Sequence, residues 1–382
     1  MRRDKMLVLM VFVLAVASAV GFQLVRGGGP QADAVEETAI KPSSVGEFRG
    51  ISLQLHDGRS EVPYEEYIDE IARTGANTIC LVVSAYQENC ASTSIFIDLR
   101  KTPTDERLKE LAAHAHAKGL RVALMPIVLL ENPREGEWRG KIAPANWEDW
   151  WEDYENYVLH YAWIAESIQA DIYLVGSELV STEDQADRWR GLIRSVRGAY
   201  KGRLSYSANW DHYDQIAWWS DLDIVGMTTY HDLSGGEEPT LDVLMSRWEP
   251  IRKNILDWQK KVNRPILFTE IGWPNQTTCA QYPWDYYRSN DKPDPQAQAN
   301  CFEAFFRTWL NDSAVTGCLV WEWRSYPGQV VDPDKDTSYV PCGKPAEKVI
   351  SDYFKSARTV QQASATGSQT VQKQDQPHRS EQ

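Results

Sequence analysis

The sequence predicts a single (β/α)8 TIM barrel, an α/β fold in which eight parallel strands alternate with helices. Eight short segments rich in apolar and β-branched residues recur along the chain, and several are unbroken apolar runs, as expected of strands buried on both faces. Helical patterns lie between most of them. An open doubly wound sheet is the rival fold, but no GxGxxG motif follows the first segment. Eight strands with helical crossovers in about 300 residues therefore indicate a barrel.

The predicted strands are residues 50–55, 77–84, 121–128, 171–177, 203–208, 222–229, 265–270 and 317–323. Three helical patterns between them are distinct. The first begins with Thr102 as N-cap and Pro103 at the first helical position, and it ends at Gly119. The other two carry apolar residues at helical spacing, over residues 189–200 and 241–258.

The barrel is predicted to occupy residues 48–356 without an internal boundary. Residues 26–47 hold glycines, a proline and scattered charges without apolar periodicity, which indicates a linker. Residues 357–382 are rich in Gln, Ser and Thr and predict a disordered tail.

Residues 1–25 predict an export signal, in which three basic residues precede an apolar run from residue 6 to 25. Two interpretations remain open. One is a signal peptide cleaved after the small residues 17–19; the other is an uncleaved signal anchor, since about 20 apolar residues span a bilayer. Both place the barrel outside the cytoplasm, where it is secreted, periplasmic or anchored to the outer side of the cytoplasmic membrane. Membrane association is expected only through such an anchor.

An extracytoplasmic location makes disulfides between the six cysteines plausible. Cys80 and Cys90 border one short loop and are the predicted pair, the alternative being a free Cys80 buried in a strand. No spacing of cysteine or histidine predicts a metal site.

The composition favours a neutral glycan as the partner. Lys+Arg 40 against Asp+Glu 54 gives a net charge of −14, which repels a phosphate backbone and excludes nucleic acid. The chain also has 16 Trp and 17 Tyr, more than a core of this size needs. Flat, partly polar rings of this kind suit stacking on sugars.

Two glutamates end predicted strands, Glu178 on strand four and Glu270 on strand seven. The active site of a TIM barrel lies at the carboxyl ends of its strands, and these two strands lie across the ring from each other. Two facing carboxylates are the catalytic groups of a glycosidase. A salt bridge with Arg or Lys at the barrel mouth is the alternative explanation, and Glu131 and Glu322 are the spare carboxylates.

Four motifs in chain order resemble glycoside hydrolase family 113, whose members include β-1,4-mannanases. They are GSEL at 176–179, the stretch 189–210, LDIVGMTTY at 222–230 and FTEIGW at 268–273. The family belongs to a clan of retaining (β/α)8 glycoside hydrolases with the acid/base on strand four and the nucleophile on strand seven. The resemblance covers residues 49–323.

The resemblance implies that Glu178 is the general acid/base and Glu270 the nucleophile, in a mechanism that uses no metal or other cofactor. Glu178 then needs a raised pKa, whereas Glu270 must stay ionised through hydrogen bonds. Tyr230, at the end of strand six, is expected to donate to the nucleophile. Trp321, at the end of strand eight, is expected to form the floor beneath the reacting sugar.

Further substrate contacts are expected around this pair. Ser177 stands where most of the clan has an Asn before the acid/base, and Asn209 is the candidate substitute. Trp210 and Trp273 are candidate sugar platforms, and His231 is a candidate hydrogen-bond partner of sugar hydroxyls. Each aromatic ring also has a packing interpretation.

The sequence thus predicts a retaining glycoside hydrolase acting on a β-linked polysaccharide or oligosaccharide, with β-mannan favoured by the resemblance. The alternative is a non-catalytic extracytoplasmic glycan-binding protein on the same barrel. A metal-dependent amidohydrolase is disfavoured because no HxH motif follows strand one.

The segment 274–300 is the expected wall of the cleft. In the sequence WEW at 321–323, strand alternation predicts that Trp321 and Trp323 share one face and Glu322 takes the other.

Overall fold

Eight parallel strands close into a barrel in sequence order in the computed structural model, which describes residues 47–59, 61–285, 292–324, 328 and 331–357. This confirms the predicted (β/α)8 fold. The export segment, the linker before residue 47, the tail after residue 357 and Tyr286 and Tyr287 of the cleft-wall segment lie outside the described residues. Within the described ranges, no helix has the length and apolar character needed to cross a membrane.

The strands are β1 (Phe48–Gln54), β2 (Thr78–Gln87), β3 (Arg121–Leu130), β4 (Ile172–Ser177), β5 (Arg203–Ala208), β6 (Val225–Thr228), β7 (Ile266–Ile271) and β8 (Val315–Val320). The helices are α1 (Tyr64–Arg73), α2 (Asp105–Ala117), α3 (Trp147–Ser167), α4 (Ala186–Ala199), α5 (Leu241–Val262) and α6 (Pro295–Trp309). A final helix spans residues 345–357.

Side chains of the strands alternate between two apolar layers. On β2, Cys80 and Val82 belong to a cluster of strand residues that fills the barrel interior, which Ile224, directly before β6, also joins. Ile79 and Leu81 belong to a larger cluster that includes the helices. Both faces of each strand are therefore buried, which explains the unbroken apolar runs in the sequence.

Helix α2 begins two residues later than its sequence pattern predicted. Thr104, not Thr102, is the N-cap, and its side-chain oxygen accepts a hydrogen bond from the backbone N–H of Arg107 at 3.2 Å. The hydroxyl of Thr102 is buried and donates to the carbonyl of Ser84 at 2.7 Å. Both threonines fit a helix start, and only the path of the chain from β2 distinguishes them.

No α-helix connects β5 to β6, a segment that is described throughout. A short 3-10 helix, Trp219–Asp221, stands in its place. Trp218 is fully buried and stacks on Trp189 of α4, with ring centroids 4.6 Å apart. Indole rings therefore cover the strands here, where a helix would otherwise pack.

Glu47 closes the amino-terminal face of the barrel. Its carboxylate lies 2.7 Å from Arg203 of β5 and accepts from the hydroxyl of Thr316 of β8 at 3.1 Å. The Arg203 guanidinium also lies 4.5 Å from the centre of the Phe48 ring. The polypeptide before β1 thus joins the barrel at the face opposite the carboxyl ends of the strands.

The carboxyl-terminal helix, residues 345–357, also reaches this amino-terminal face. A Cβ atom placed on Gly75, between α1 and the start of β2, would lie 2.6 Å from the Lys355 side chain. Both ends of the described barrel therefore leave from the same face.

All six cysteines are free, so the predicted bond between Cys80 and Cys90 is not formed. Cys80 belongs to the barrel interior, whereas Cys90 lies on the loop after β2 with its thiol against the Trp138 carbonyl. Two other cysteines meet instead. The thiol of Cys301 contacts that of Cys279, and burial together with this contact raises the pKa of Cys301.

Candidate active site

Glu178 and Glu270 lie together at the carboxyl ends of the strands, with 7% and 3% of their surface exposed. Glu270 is the residue before the last in β7, where the pairing register shifts against both neighbouring strands. Such irregularities redirect side chains at barrel rims. Here the irregularity accompanies a carboxyl group that enters the mouth.

Glu178 follows β4 in an unusual backbone conformation. Its φ of 52° is in the left-handed region, which residues with a side chain rarely adopt. The pairing of β4 with β5 shifts between Leu174 and Ser177, and the N–H of Glu178 then donates to the Ser207 carbonyl at 2.8 Å. This local geometry turns the carboxylate of Glu178 into the barrel mouth.

Arg139 joins the two glutamates. It lies in a short 3-10 helix, Arg139–Lys141, after β3, and its Nη2 is 2.6 Å from Glu178 Oε2 and 3.9 Å from Glu270 Oε1. Its Nε also donates to the Ser177 carbonyl at 3.2 Å. Arg139 could not be predicted from the sequence, because it lies in a loop with other basic residues and no motif distinguishes it.

One cation therefore serves two buried carboxylates. Burial, followed by the nearby charge of Glu178, raises the pKa of Glu270 to about 8, although Arg139 and a hydrogen bond from Tyr230 oppose the shift. The expectation that Glu270 stays ionised is therefore not supported by this geometry, because its raised pKa favours the protonated form at neutral pH.

Two hydroxyl groups contact Glu270. The Tyr230 hydroxyl donates to Oε2 at 2.9 Å, and the Ser177 hydroxyl lies 3.5 Å from Oε1. Burial raises the pKa of Tyr230 well above its usual value, so that the phenol keeps the proton it donates. Asn209, the candidate substitute for the clan's Asn, instead donates to Asp211 at 2.7 Å. Ser177 itself, and not Asn209, therefore places a polar group beside Glu270.

The segment after β8 differs from the prediction. Strand β8 ends at Val320, so strand alternation does not continue through the next three residues. Trp321 packs against the barrel interior, whereas Trp323 lies in the outer cluster, where its Nε1 donates to Glu70 at 2.8 Å. The two tryptophans therefore do not share a face. Glu322 is buried at the mouth, accepts a hydrogen bond from Gln54, and lies close enough for its charge to raise the pKa of Glu270.

An aromatic surface lies beside the mouth. Trp210, directly after β5, is half-buried and stacks on Trp284, with ring centroids 5.8 Å apart and an interplanar angle of 16°. Trp284 is 44% exposed. A flat ring pair of this kind can carry a sugar.

Two expected substrate contacts are corrected. Trp273 is fully buried against Phe302 of α6, so its ring is not available as a sugar platform. His231 is buried between Trp210 and Trp248. Burial lowers the pKa of His231 to about 4, and its buried Nε2 has no hydrogen-bond partner among the described residues. The neutral imidazole therefore supports the Trp210 ring from below and does not face the open mouth.

Glu131, an alternative candidate for a catalytic carboxylate, is paired with Lys101 instead. Both its oxygens lie 2.6 Å from Lys101 Nζ, and that ammonium group also covers the Tyr86 ring at 4.6 Å. Within the described ranges, no group of three or more His, Cys, Asp or Glu side chains is arranged to hold a metal ion.

Comparison with known proteins identifies relatives. The model of Glycoside Hydrolase Family 113 matches residues 60–344. A solved GH113 β-1,4-mannanase aligns with a TM-score of 0.71 at 28% identity, covering 81% of this chain and 99% of its own. The GH113 β-mannanase AaManA from Alicyclobacillus acidocaldarius, solved in complex with ManMIm, aligns with a TM-score of 0.71 at 26% identity. The alignment covers 82% of this chain and 98% of AaManA.

A family 5 mannosidase from Rhizomucor miehei shares the fold, with a TM-score of 0.57 at 11% identity over 83% of this chain and 94% of its own. No curated protein sequence matches the chain.

Proposed function

The chain belongs to glycoside hydrolase family 113 and is a glycoside hydrolase with a polysaccharide substrate, and from this premise we propose that it cleaves β-1,4-mannan by double displacement. Glu270 is the nucleophile and Glu178 the general acid/base. The observation that carries this assignment is the pair of buried carboxylates joined by Arg139 at the mouth of the barrel.

The separation of the carboxylates favours retention of configuration. Glu178 Oε2 and Glu270 Oε1 lie 2.6 and 3.9 Å from one nitrogen of Arg139, so these oxygens are at most about 6.5 Å apart. Inverting enzymes need roughly 6.5 to 9.5 Å to fit a water molecule, and retaining enzymes need about 5 to 5.5 Å. The pair is therefore suited to direct attack by one carboxylate.

The first step forms a bond between Glu270 and the anomeric carbon while the glycosidic bond breaks. The leaving oxygen takes the proton of Glu178. In the second step Glu178 removes a proton from water, the water oxygen attacks the anomeric carbon, and the ester bond to Glu270 breaks. The first step thus requires Glu270 to be ionised and Glu178 to be protonated.

Mannan is the substrate favoured by the comparisons. The two family 113 structures bear the names of a β-1,4-mannanase and a β-mannanase. The net charge of −14 also favours a neutral glycan over an anionic one. The Trp210 and Trp284 rings beside the mouth supply a stacking surface for a sugar outside the reacting site.

The same proposal places the enzyme outside the cytoplasm, because a basic segment and an apolar run open the sequence. Fractionation of cells that express the full chain tests this location. Recovery in the culture medium or periplasm supports a cleaved signal, recovery in the membrane fraction supports an anchor, and a cytoplasmic pool alone contradicts both.

The decisive test is release of reducing sugar from β-mannan, glucomannan, xylan, β-glucan and galactan by wild-type protein and the variants Glu178→Ala and Glu270→Ala. We expect activity on β-mannan that falls by several orders of magnitude in both variants. Glu131→Gln is the matched control, because this carboxylate is bound by Lys101 at the same face. It should retain wild-type activity.

Two results would contradict the proposal. Activity that survives Glu270→Ala removes the nucleophile assignment, and activity confined to a glycan other than mannan removes the substrate. Proton NMR of the first product gives the stereochemistry. An inverted anomer would exclude double displacement.

A further inference from the structure

Glu183 is a buried carboxyl group that the proposed mechanism does not use. It lies five residues after Glu178, and 6% of its surface is exposed. Burial raises its pKa to about 7, against a hydrogen bond from Tyr206 and with a contribution from the charge of Glu178. A buried acid this close to the proposed acid/base is a candidate for a role in the site.

Tyr206 of β5 connects Glu183 to the backbone of the acid/base segment. Its hydroxyl donates to Glu183 Oε1 at 2.8 Å and accepts the N–H of Leu179 at 2.8 Å. Leu179 directly follows Glu178, whose backbone is in the left-handed region. The phenol therefore holds one end of the peptide unit that sets this conformation.

The far side of Glu183 is also fixed. The indole N–H of Trp218 donates to the Glu183 backbone carbonyl at 3.1 Å, and Trp218 stacks on Trp189. The indole N–H of Trp189 in turn donates to the carbonyl of Thr182 at 3.0 Å. Two buried tryptophans thus hold the Glu183 backbone while its carboxylate faces Tyr206, so the carboxylate can act on its neighbours only through this phenol and through its charge.

We propose that Glu183 is a positioning residue for the acid/base. Through Tyr206 it holds the Glu178 segment in its left-handed conformation. The inference rests on the proposed function for its role in turnover, whereas its effect on the local backbone is independent of any substrate.

The test that needs no substrate is hydrogen exchange of backbone amides, followed by NMR. Glu183→Leu removes the acceptor of the Tyr206 hydroxyl, and we expect the Leu179 amide to exchange at least tenfold faster than in the wild type, because the phenol is then not held against it. Glu183→Gln, whose amide oxygen can still accept from Tyr206, should keep the slow exchange. Glu166→Gln is the matched control, because it changes an exposed site at the far end of α3, and it should leave the exchange rate unchanged.

The second test measures activity. Glu183→Leu should lower kcat with little change in KM, and Glu183→Gln, which can still accept from Tyr206, should restore much of it. Tyr206→Phe leaves the Leu179 N–H without its acceptor, and we expect kcat to fall about tenfold with KM within about twofold. Tyr200→Phe is the matched control, since it removes a buried hydroxyl that donates to the Ala170 carbonyl at 2.7 Å, remote from the mouth.

The outcomes separate this inference from the proposed function. An unchanged exchange rate of the Leu179 amide in Glu183→Leu overturns the inference even when the wild-type enzyme cleaves mannan. Equal kinetics of Tyr206→Phe and Tyr200→Phe overturn the positioning role. A wild-type protein that cleaves no glycan contradicts the proposed function, and the exchange measurement still decides the inference.

Discussion

Glu270 is a buried carboxyl group whose pKa in the folded protein is about 8, against an ordinary value of 4.5. Between these pH values the folded protein binds a proton that the unfolded chain releases. The free energy of unfolding therefore falls as the pH rises from 4.5 to about 8. The buried carboxyl group of Glu270 thus makes the fold less stable at neutral pH than at pH 4.5.

Glu270→Gln should remove much of this dependence. We expect its melting temperature to exceed that of the wild type by about 1 to 3 °C at pH 8 and by less at pH 5. Differential scanning calorimetry at both pH values measures the effect, with Glu131→Gln as the control. An equal difference at pH 5 and pH 8 would show that Glu270 does not bind the extra proton.

Arg139 is a second residue whose charge affects the proton affinity of the site, because it opposes the rise in the pKa of Glu270. Arg139→Met should move the alkaline limb of kcat/KM to higher pH and lower kcat/KM by tenfold or more, with about 1.4 kcal/mol lost for each tenfold. Arg139→Lys should restore part of the activity. The control is Arg134→Met, which removes an exposed guanidinium from the same loop. A profile unchanged from that control counts against a role for Arg139.

At the scale of elements, the start of α2 depends on one side chain. Thr104→Ala removes the acceptor of the Arg107 N–H, and we expect it to lower the free energy of unfolding by about 1 kcal/mol. Thr104→Asp should keep the cap. Urea denaturation measures both variants, and equal stability of Thr104→Ala and wild type would contradict the cap assignment.

The cysteines of the cleft-wall segment and α6 give a second prediction at this scale. Cys279 contacts Cys301, so protein recovered from an oxidising compartment should carry a disulfide between them. Closing a loop of this length adds about 3 kcal/mol in the chain-entropy account. Mass spectrometry of non-reduced peptides detects the linked pair, and Cys342, which is only half-buried, should remain free. Two alkylated thiols at these positions in exported protein would refute the prediction.

Across the whole molecule, the sequence was sufficient to predict the barrel and its eight strands, but it did not predict the end of β8 or the loop residues that contact the site. Strands buried on both faces leave unbroken apolar runs, so all eight were found close to their observed positions. Glu178 and Glu270 were found because strand ends in a barrel converge on one site. The end of β8 was misplaced because the apolar and aromatic run continues through Trp323, beyond the last paired residue.

The remaining contacts depend on distant parts of the chain. Arg139 and Glu183 reach the site through loops whose paths no local pattern records. Trp273 and His231 were expected at the surface of the site because they directly follow strand ends. Their burial depends on helices and loops that pack over them later in the chain.

The closed amino-terminal face has a consequence for immobilising the enzyme. The chain enters the barrel at Glu47, and the helix that ends at residue 357 returns to the same side. A bead attached at Glu47 or at residue 357 therefore leaves the opposite opening free for a long polymer. We expect a barrel of residues 47–357 coupled through its first residue to cleave a soluble polysaccharide as fast as the uncoupled barrel, whereas coupling through Trp284→Cys, beside the opening, should slow it severalfold. Surface attachment would then fix the orientation of the barrel, so that the polymer reaches the carboxyl-terminal opening from the unattached side.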